Sequence, residues 1–372
     1  MKKKIVVLGS TGSVGRQVLE IVRRFPDNFE IVGAYAYSNG DLLADQIQDF
    51  SIKYYCLEKG EISPSNEAKK IDSMIELAKI ECDLVICAVT GLAGLKPSIA
   101  ALECGTDLAT ANKEAMVCGG KLMWKAARHS GANIIPVDSE HSALMQCMFG
   151  EKKENLKKMY LTASGGALRD KSKSEIEKIT AKEALYHPVW NMGKKITIDS
   201  ATLFNKGLEV IEAVNLFEIE PNRVEVLLHP QSIIHAMCSF KDNSFKASLA
   251  YPDMLLPIEL AMFYPDRGER CIQNLDFVRL RTLDFAEVDN DRFPCLSIAL
   301  KALKSGQGAC SAVSSADEFL VDKFLKDEIK FYDISDYLLK VLCKFENSRI
   351  DSIDDVFSLD KDVKEYLKSM NL

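Results

Sequence analysis

Lys4-Ile-Val-Val-Leu-Gly-Ser-Thr-Gly-Ser-Val-Gly15 is the stretch on which the reading of this chain turns. Ile5 to Leu8 form an unbroken apolar run, the pattern of a strand covered on both faces. From Ser13 to Arg24 the period changes, with Val14, Val18, Ile21 and Val22 on one helical face. Between them lies Gly-x-x-Gly-x-x-Gly, with glycines at 9, 12 and 15. Residues without a Cβ let the backbone turn tightly and approach a pyrophosphate, whose charge the following helix N-terminus stabilises. A plain strand–helix turn would also use glycine, but the strand–loop–helix setting favours a nucleotide. Gly9, Ser10, Thr11, Gly12, Ser13 and Val14 are the expected cradle.

Outward from this loop, strand patterns at 29–36, 53–57, 83–89, 107–111 and 132–137 alternate with helix patterns near 41–50, 66–80, 95–104 and 114–130. Such alternation predicts an α/β fold, a doubly wound, Rossmann-like parallel sheet. After residue 139 the pattern changes. Strands at 156–162, 223–228, 233–240 and 244–250 predict a mostly antiparallel sheet with helices on one face, an α+β domain. Residues 264–290 read as a linker, and 295–304, 309–327, 333–345 and 361–370 as a helical bundle. The expected domains are 1–138 for the nucleotide, 139–263 for catalysis, 264–290 as linker, and 291–372 as a C-terminal helical domain.

The bulk numbers agree. A chain of 372 residues is long for one core, so two or three domains are expected. Its 47 basic and 54 acidic side chains leave a charge of −7, which argues against a nucleic-acid partner. The 11 cysteines are scattered without any Cys-x-x-Cys pair, the usage of a reduced intracellular protein. No stretch approaches the length of a membrane span, and the first apolar run is too short for a signal core. A cytoplasmic protein without membrane association is expected.

The second strand bears on the cofactor. NAD sites place Asp or Glu there, about 20 residues past the glycines, for the ribose 2′-hydroxyl. Residues 34–41 read Ala-Tyr-Ala-Tyr-Ser-Asn-Gly-Asp, with no acid before Asp41. Ser38 and Asn39 can donate to a 2′-phosphate that a carboxylate would repel, which points to NADP. Alternatively both residues only form a turn and cap the next helix.

Two acid clusters suggest a cation. Asp138 and Glu140 flank Ser139, and share a side if the segment is extended. Glu209 lies in a helix pattern four residues after Asn205, on the same face. Oxygen ligands without His or Cys fit Mg²⁺ or Mn²⁺. The plainer readings are a capped helix N-terminus at 138–140 and a solvated Glu209. Ser164-Gly165-Gly166 can form an anion nest. Ser200 leads toward Asn205 and Lys206, groups suited to a phosphate, or is simply a helix cap beside a surface lysine. Between them, His187-Pro-Val-Trp190-Asn-Met-Gly193 suggests a mobile lid over 182–195, or a static loop with Trp190 in a groove.

These strings resemble the 1-deoxy-D-xylulose 5-phosphate reductoisomerase family. The matching motifs are Gly-Ser-Thr-Gly-Ser-Val-Gly (9–15), Ala-Asn-Lys-Glu (111–114), Pro-Val-Asp-Ser-Glu-His (136–141), Ser-Gly-Gly (164–166), His-Pro-x-Trp-x-Met-Gly (187–193), Asp-Ser-Ala-Thr-x-x-Asn-Lys-Gly-Leu-Glu (199–209), His-Pro-Gln-Ser-x-x-His (229–235) and Pro-Asp-Met (252–254). The 199–209 string is very specific, and the motifs keep family order from residue 5 to about 320. The resemblance implies a homodimer using NADPH and Mg²⁺ or Mn²⁺. It implies metal ligands at Asp138, Glu140 and Glu209. It implies substrate contacts at Ser139, Ser164, His187, Trp190, Ser200, Asn205 and Lys206, the phosphate among them. It implies cofactor contacts at Ser38, Asn39, Asn112, Glu114, Gly193 and Met254 besides the glycine loop, and catalytic roles for Lys113, Glu140, His187 and His235. The chain departs from the pattern at Tyr37, where the family usually has Gly, and at Val189, where Asn is usual. Ser314-Ser315-Ala316-Asp317-Glu318 also replaces the usual Asn-Ala-Ala-Asn-Glu.

The implied reaction rearranges 1-deoxyxylulose 5-phosphate and reduces the branched aldehyde phosphate to 2-C-methylerythritol 4-phosphate, on the methylerythritol phosphate route to isoprenoids. The hydroxyl proton would move through Glu140, bound water or the substrate's own oxygen. Two rival readings remain at this stage. One is an NADP-dependent dehydrogenase of a phosphorylated hydroxyketone without rearrangement. The other is a catalytically inactive dinucleotide sensor.

Overall fold

A computed structural model describes residues 1–64, 67–190, 192–269 and 271–370. Asn66, at the start of the expected helix 66–80, lies outside the described residues, as do Asn191 of the expected lid, residue 270 of the linker and the last two residues of the C-terminal domain. The chain forms two compact units.

The first unit comprises residues 1–115, 121–142 and 253–273. Its sheet contains β1 (Lys3–Leu8), β2 (Phe29–Ala36), β3 (Tyr54–Leu57), β4 (Lys69–Lys70), β5 (Leu84–Cys87), β6 (Asp107–Thr110) and β7 (Ile134–Pro136). Every pairing is parallel, in the order β4-β3-β2-β1-β5-β6-β7. Ile5, Val6, Val7 and Leu8 are fully buried, as an apolar run covered on both faces requires. The helix Ser13–Arg24 buries Val18, Leu19, Ile21 and Val22, and ends in Arg23 and Arg24, which complement its dipole. The order of strands reverses between β1 and β5. In open α/β sheets the crevice at that point, beyond the carboxyl ends of the strands, takes ligands. Gly9 stands there, directly after β1.

One expected element is wrong. The 66–80 segment is not one helix. Lys69–Lys70 adds a short edge strand beside Tyr54 and Tyr55, and the helix is confined to Met74–Ala78. The Ser73 side chain accepts the Glu76 N–H at 3.2 Å, so the helix is capped late.

The second unit comprises residues 116–120, 143–252 and 274–372. It holds β8 (Leu156–Ala163), β9 (Val224–Leu228), β10 (Ile234–Phe240) and β11 (Phe245–Leu249), in the order β11-β10-β8-β9. β10 runs antiparallel to both neighbours, while β9 is parallel to β8. Met159, Leu161, Ala236 and Cys238 from this sheet pack with Leu144, Val210 and Ala213 in one core. The helix Phe204–Phe217 supplies Val210 and Ala213, and also Glu209. The linker expectation at 264–290 meets a short helix at Phe277–Leu280 and a bridge from Ala286 to Leu228.

Four long helices close the chain: Pro294–Ser305, Gln307–Leu325, Phe331–Phe345 and Ile353–Lys368. The last begins earlier than the expected 361 because Ser352 and Asp355 form a capping box. Gln307–Leu325 is buried along most of its length by small residues. At Gly308 an added Cβ would lie 2.0 Å from the Ser348 carbonyl oxygen. None of the 11 cysteines forms a disulfide, and no helix among the described residues is long and apolar enough to cross a membrane. Gly308→Ala is expected to lower stability by about 1–3 kcal/mol, since the overlap is with backbone and outweighs the gain in helix propensity. Denaturant unfolding measures it.

Candidate active site

The glycine loop is shaped by contacts only small residues allow. Gly9 has φ of 93°, and a Cβ on it would lie 2.8 Å from the Ala88 carbonyl oxygen. A Cβ on Gly15 would lie 2.2 Å from Gly9 O, so the helix starts hard against the loop. The N–H groups of Gly9 and Ser10 both donate to Tyr35 O, at 3.0 and 2.9 Å. The Ser10 hydroxyl is buried and donates to Gln46 Oε1 at 2.7 Å, while Gln46 Nε2 returns a bond to Ser10 O at 3.0 Å. Ser10 therefore fixes the loop, and Gln46 is a positioning residue that sequence reasoning missed. Gly12 precedes the helix without a side-chain cap. The first-turn N–H groups, from Ser13 onward, thus have no side-chain cap, an arrangement that fits a pyrophosphate.

Ser38 and Asn39 follow β2 and are exposed. Asn39 Oδ1 accepts the Leu42 N–H at 3.2 Å, so the capping alternative describes that oxygen. Asn112 is buried, and its amide is also committed to the protein: Nδ2 donates to Val89 O and Gly91 O at 2.9 and 2.8 Å, and Oδ1 accepts Ala115 N–H at 2.7 Å. It ties the loop after β5 to the helix Lys113–Ser130, whose first turn carries Glu114. Met254 sits half-buried before the helix Leu255–Phe263.

Lys113 Nζ lies 2.7 Å from Asp138 Oδ2, and both side chains are largely buried. The extended reading of 138–140 is corrected here. The Asp138 carbonyl accepts the Ser142 N–H at 2.9 Å, so a helix, Ser139–Met148, starts at once. Glu140 falls in its first turn, where the helix dipole favours a carboxylate. Ser139 Oγ donates to Glu140 Oε2 at 2.6 Å. His141 is fully buried 3.8 Å from Asp138 Oδ2, a second neighbour to which sequence reasoning gave no role.

In the second unit, Ser164 follows β8, and Gly165 and Gly166 both have positive φ. A Cβ on Gly166 would lie 2.6 Å from Ser200 O, so the turn packs directly on the helix Lys194–Thr202. Ser200 lies in the last turn of that helix, so the N-cap alternative does not apply to it. Leu203, at φ 59°, then turns the chain into Phe204–Phe217, which begins with Asn205 and Lys206. Both bond the Glu209 carboxylate, one to each oxygen. Lys206 is 4% exposed and Glu209 1%, so the solvated-surface alternatives fail for both. Lys195, next to Gly193 and Lys194, lies 2.6 Å from Asp199 and 2.7 Å from Asp317.

His187 Nδ1 accepts the N–H groups of Val189 and Trp190 at 3.2 and 2.9 Å. Its proton therefore sits on Nε2, which donates to Ser164 Oγ at 3.2 Å. Trp190 lies edge-on to His235, ring centres 6.3 Å apart. His235 itself is nearly buried in β10. His229, also missed, is fully buried. Its Nε2 accepts Ile233 and Ile234 N–H at 3.2 and 3.1 Å, and its Nδ1 lies 2.8 Å from Asp284 O. It staples the start of β10 to the segment after the short helix Phe277–Leu280.

A doubly wound sheet with a phosphate-shaped glycine loop, and a buried lysine–carboxylate cluster in a second unit, define a dinucleotide-dependent oxidoreductase. Family profiles agree. 1-Deoxy-D-xylulose 5-phosphate reductoisomerase matches residues 5–120, its C-terminal domain 134–217, and the DXP reductoisomerase C-terminal domain 249–366. The chain is 43% identical to the 1-deoxy-D-xylulose 5-phosphate reductoisomerase of Thermoanaerobacter pseudethanolicus over 98% of both chains. It is 41% identical to that of Clostridium botulinum strain Loch Maree, again over 98% of both. A crystal structure of DOX-P reductoisomerase with NADPH, fosmidomycin and magnesium superposes with a TM-score of 0.91 at 34% identity, covering 99% of this chain and 98% of that one. The enzyme from Zymomonas mobilis with NADPH gives 0.92 at 35%, covering 100% and 99%. The chain belongs to the 1-deoxy-D-xylulose 5-phosphate reductoisomerase family.

Burial holds the His187 imidazole below its ordinary pKa of about 6.5. The unfolded chain then binds the proton more readily, so the stability this histidine contributes is intact above about pH 6.5 and falls on acidification below it. In a Trp124→Phe background, Trp190 emission is expected to hold steady above that pH and shift below it, and His187→Gln to remove the transition. Lys195→Met would leave two buried carboxylates without their shared cation. A loss of about 3 kcal/mol is expected in denaturant unfolding, partly restored by adding Asp317→Asn.

Proposed function

We propose that this chain converts 1-deoxy-D-xylulose 5-phosphate to 2-C-methyl-D-erythritol 4-phosphate with NADPH and a divalent cation, on the methylerythritol phosphate route to isoprenoid precursors. The observation that carries the proposal is end-to-end identity of 43% with an enzyme of that name. We further propose that residues 1–138 serve NADPH, 139–263 catalysis with a lid at 182–195, 264–290 as a linker and 291–372 as the C-terminal helical domain. A cytoplasmic homodimer and use of either Mg²⁺ or Mn²⁺ complete the reading.

Asp138, Glu140 and Glu209 are proposed to hold the cation. Their chemistry suits it: a hard ion needs oxygen donors, and the Lys113 and Lys206 ammonium groups stand against Asp138 and Glu209. When bound, the cation polarises the substrate ketone and NADPH supplies the hydride. Ser164, Ser200, Asn205, Lys206 and His187 are assigned to the substrate phosphate, with Ser139 and Trp190 as further substrate contacts. The phosphate is remote from the reacting carbons, so its binding energy can orient the substrate and close the loop around Trp190. Lys113 adds positive charge where the oxyanion develops. Glu140, bound water or the substrate's own oxygen would take the hydroxyl proton, and His235 is assigned to the lining of the site. Gly9 to Val14, Ser38, Asn39, Asn112, Glu114, Gly193 and Met254 are assigned to NADPH.

NMR of the product tests the reaction: a branched carbon skeleton is expected, and an unbranched one would leave only a simple dehydrogenase. Glu209→Gln is expected to lower turnover by more than about a hundredfold, beyond the usual cost of losing a supporting ligand partner. NADPH binding, read by calorimetry, is expected to survive it.

A further inference from the structure

The carboxyl ends of β1, β2 and β3 lie side by side, since all three run parallel. Gly9 follows β1, Tyr37 and Ser38 follow β2, and Glu58 and Lys59 follow β3. Backbone bonds lock the second and third ends together: Glu58 N–H donates to Ala36 O at 3.1 Å and Lys59 N–H to Tyr37 O at 2.7 Å. Tyr37, the residue that replaces the family's usual glycine, is 54% exposed. The Lys59 ammonium stands 4.8 Å from the centre of its ring. Glu58 accepts the Tyr35 hydroxyl at 3.5 Å. Among the described residues no carboxylate is in ion-pair contact with Lys59. Asn39, meanwhile, spends its side-chain oxygen on capping the next helix. Its amide NH2 and the Ser38 hydroxyl are neutral donors, so neither brings positive charge to a dianion.

From this juxtaposition we infer that Lys59, held over the Tyr37 ring, is the cation that receives the 2′-phosphate of NADPH and so determines selection of NADPH over NADH. The inference rests on the NADPH reading of the site. Its physical basis is direct. The adenosine ribose of a dinucleotide bound at this sheet edge lies at the end of β2. A 2′-phosphate there needs positive charge, and Lys59 supplies it from the adjoining strand end. The aromatic face favours an ammonium above it and restrains a long side chain that would otherwise be free. Tyr37 and Lys59 therefore act as a pair: the bulky residue at 37 places the lysine.

Calorimetric dissociation constants for NADPH, NADH, adenosine 2′,5′-bisphosphate and AMP test this at low salt, where exposed charge is least screened. The unmodified chain is expected to favour the two ligands carrying a 2′-phosphate. Lys59→Ala should weaken those two by roughly ten- to a hundredfold and leave NADH and AMP unchanged. Lys59→Arg should retain the preference, and Tyr37→Ala should give a smaller loss confined to the same two ligands. Undiminished preference in Lys59→Ala would overturn the assignment while leaving the NADPH reading intact. An unmodified chain without preference would overturn both. Equal weakening of all four ligands would show a general folding or surface effect, and also defeat the inference.

Discussion

A carboxylate taken out of water stays charged only if something positive stands beside it. At three places this chain sets a lysine against acids that it places inside. Lys113 answers Asp138, Lys206 answers Glu209, and Lys195 answers Asp199 and Asp317 together. Replacing such a pair by apolar residues often costs a protein nothing in stability. The first two therefore fit a chemical use of their oxygens. In the first two, the acids are ones proposed to bind a cation. In the third, the pair fastens the helix that carries Ser200 to the helix Gln307–Leu325 within the same unit.

How much of this could be read beforehand depended on how far each signal travels along the chain. The central strands of the first sheet are runs such as Ile5–Leu8, buried on both faces, and local pattern suffices for them. The motif 199–209 was likewise legible, because its members are close in sequence. The misread helix at 66–80 contains good helix formers. It yielded because Lys69 and Lys70 find strand partners in Tyr54 and Tyr55, a tertiary contact that no window of sequence contains.

The same reasoning explains which site residues stayed hidden. Gln46 looks like any polar helix residue until its amide meets Ser10, 36 positions earlier. His229 was visible only as part of a motif, and its role depends on Asp284, 55 positions away. The N-cap alternative for Ser200 fails because the helix Lys194–Thr202 already contains it and ends at Leu203, a non-glycine residue in the left-handed region that no propensity would forecast. Lys59 stayed hidden because it follows the third strand, and only parallel pairing brings that strand's end beside Tyr37.

The Gly166 contact limits how far Ser164 and Ser200 can ever be drawn apart. The spacing between Ser164 and Ser200 is fixed by main-chain atoms: the Gly166 α-carbon rests on the Ser200 carbonyl with no room for a methyl group. Changing side chains around the two serines leaves that distance alone. Widening the gap requires replacing the glycine, and any replacement must adopt a positive φ while pushing a helix aside. Few substitutions at position 166 could therefore move the two serines apart without also displacing the helix Lys194–Thr202.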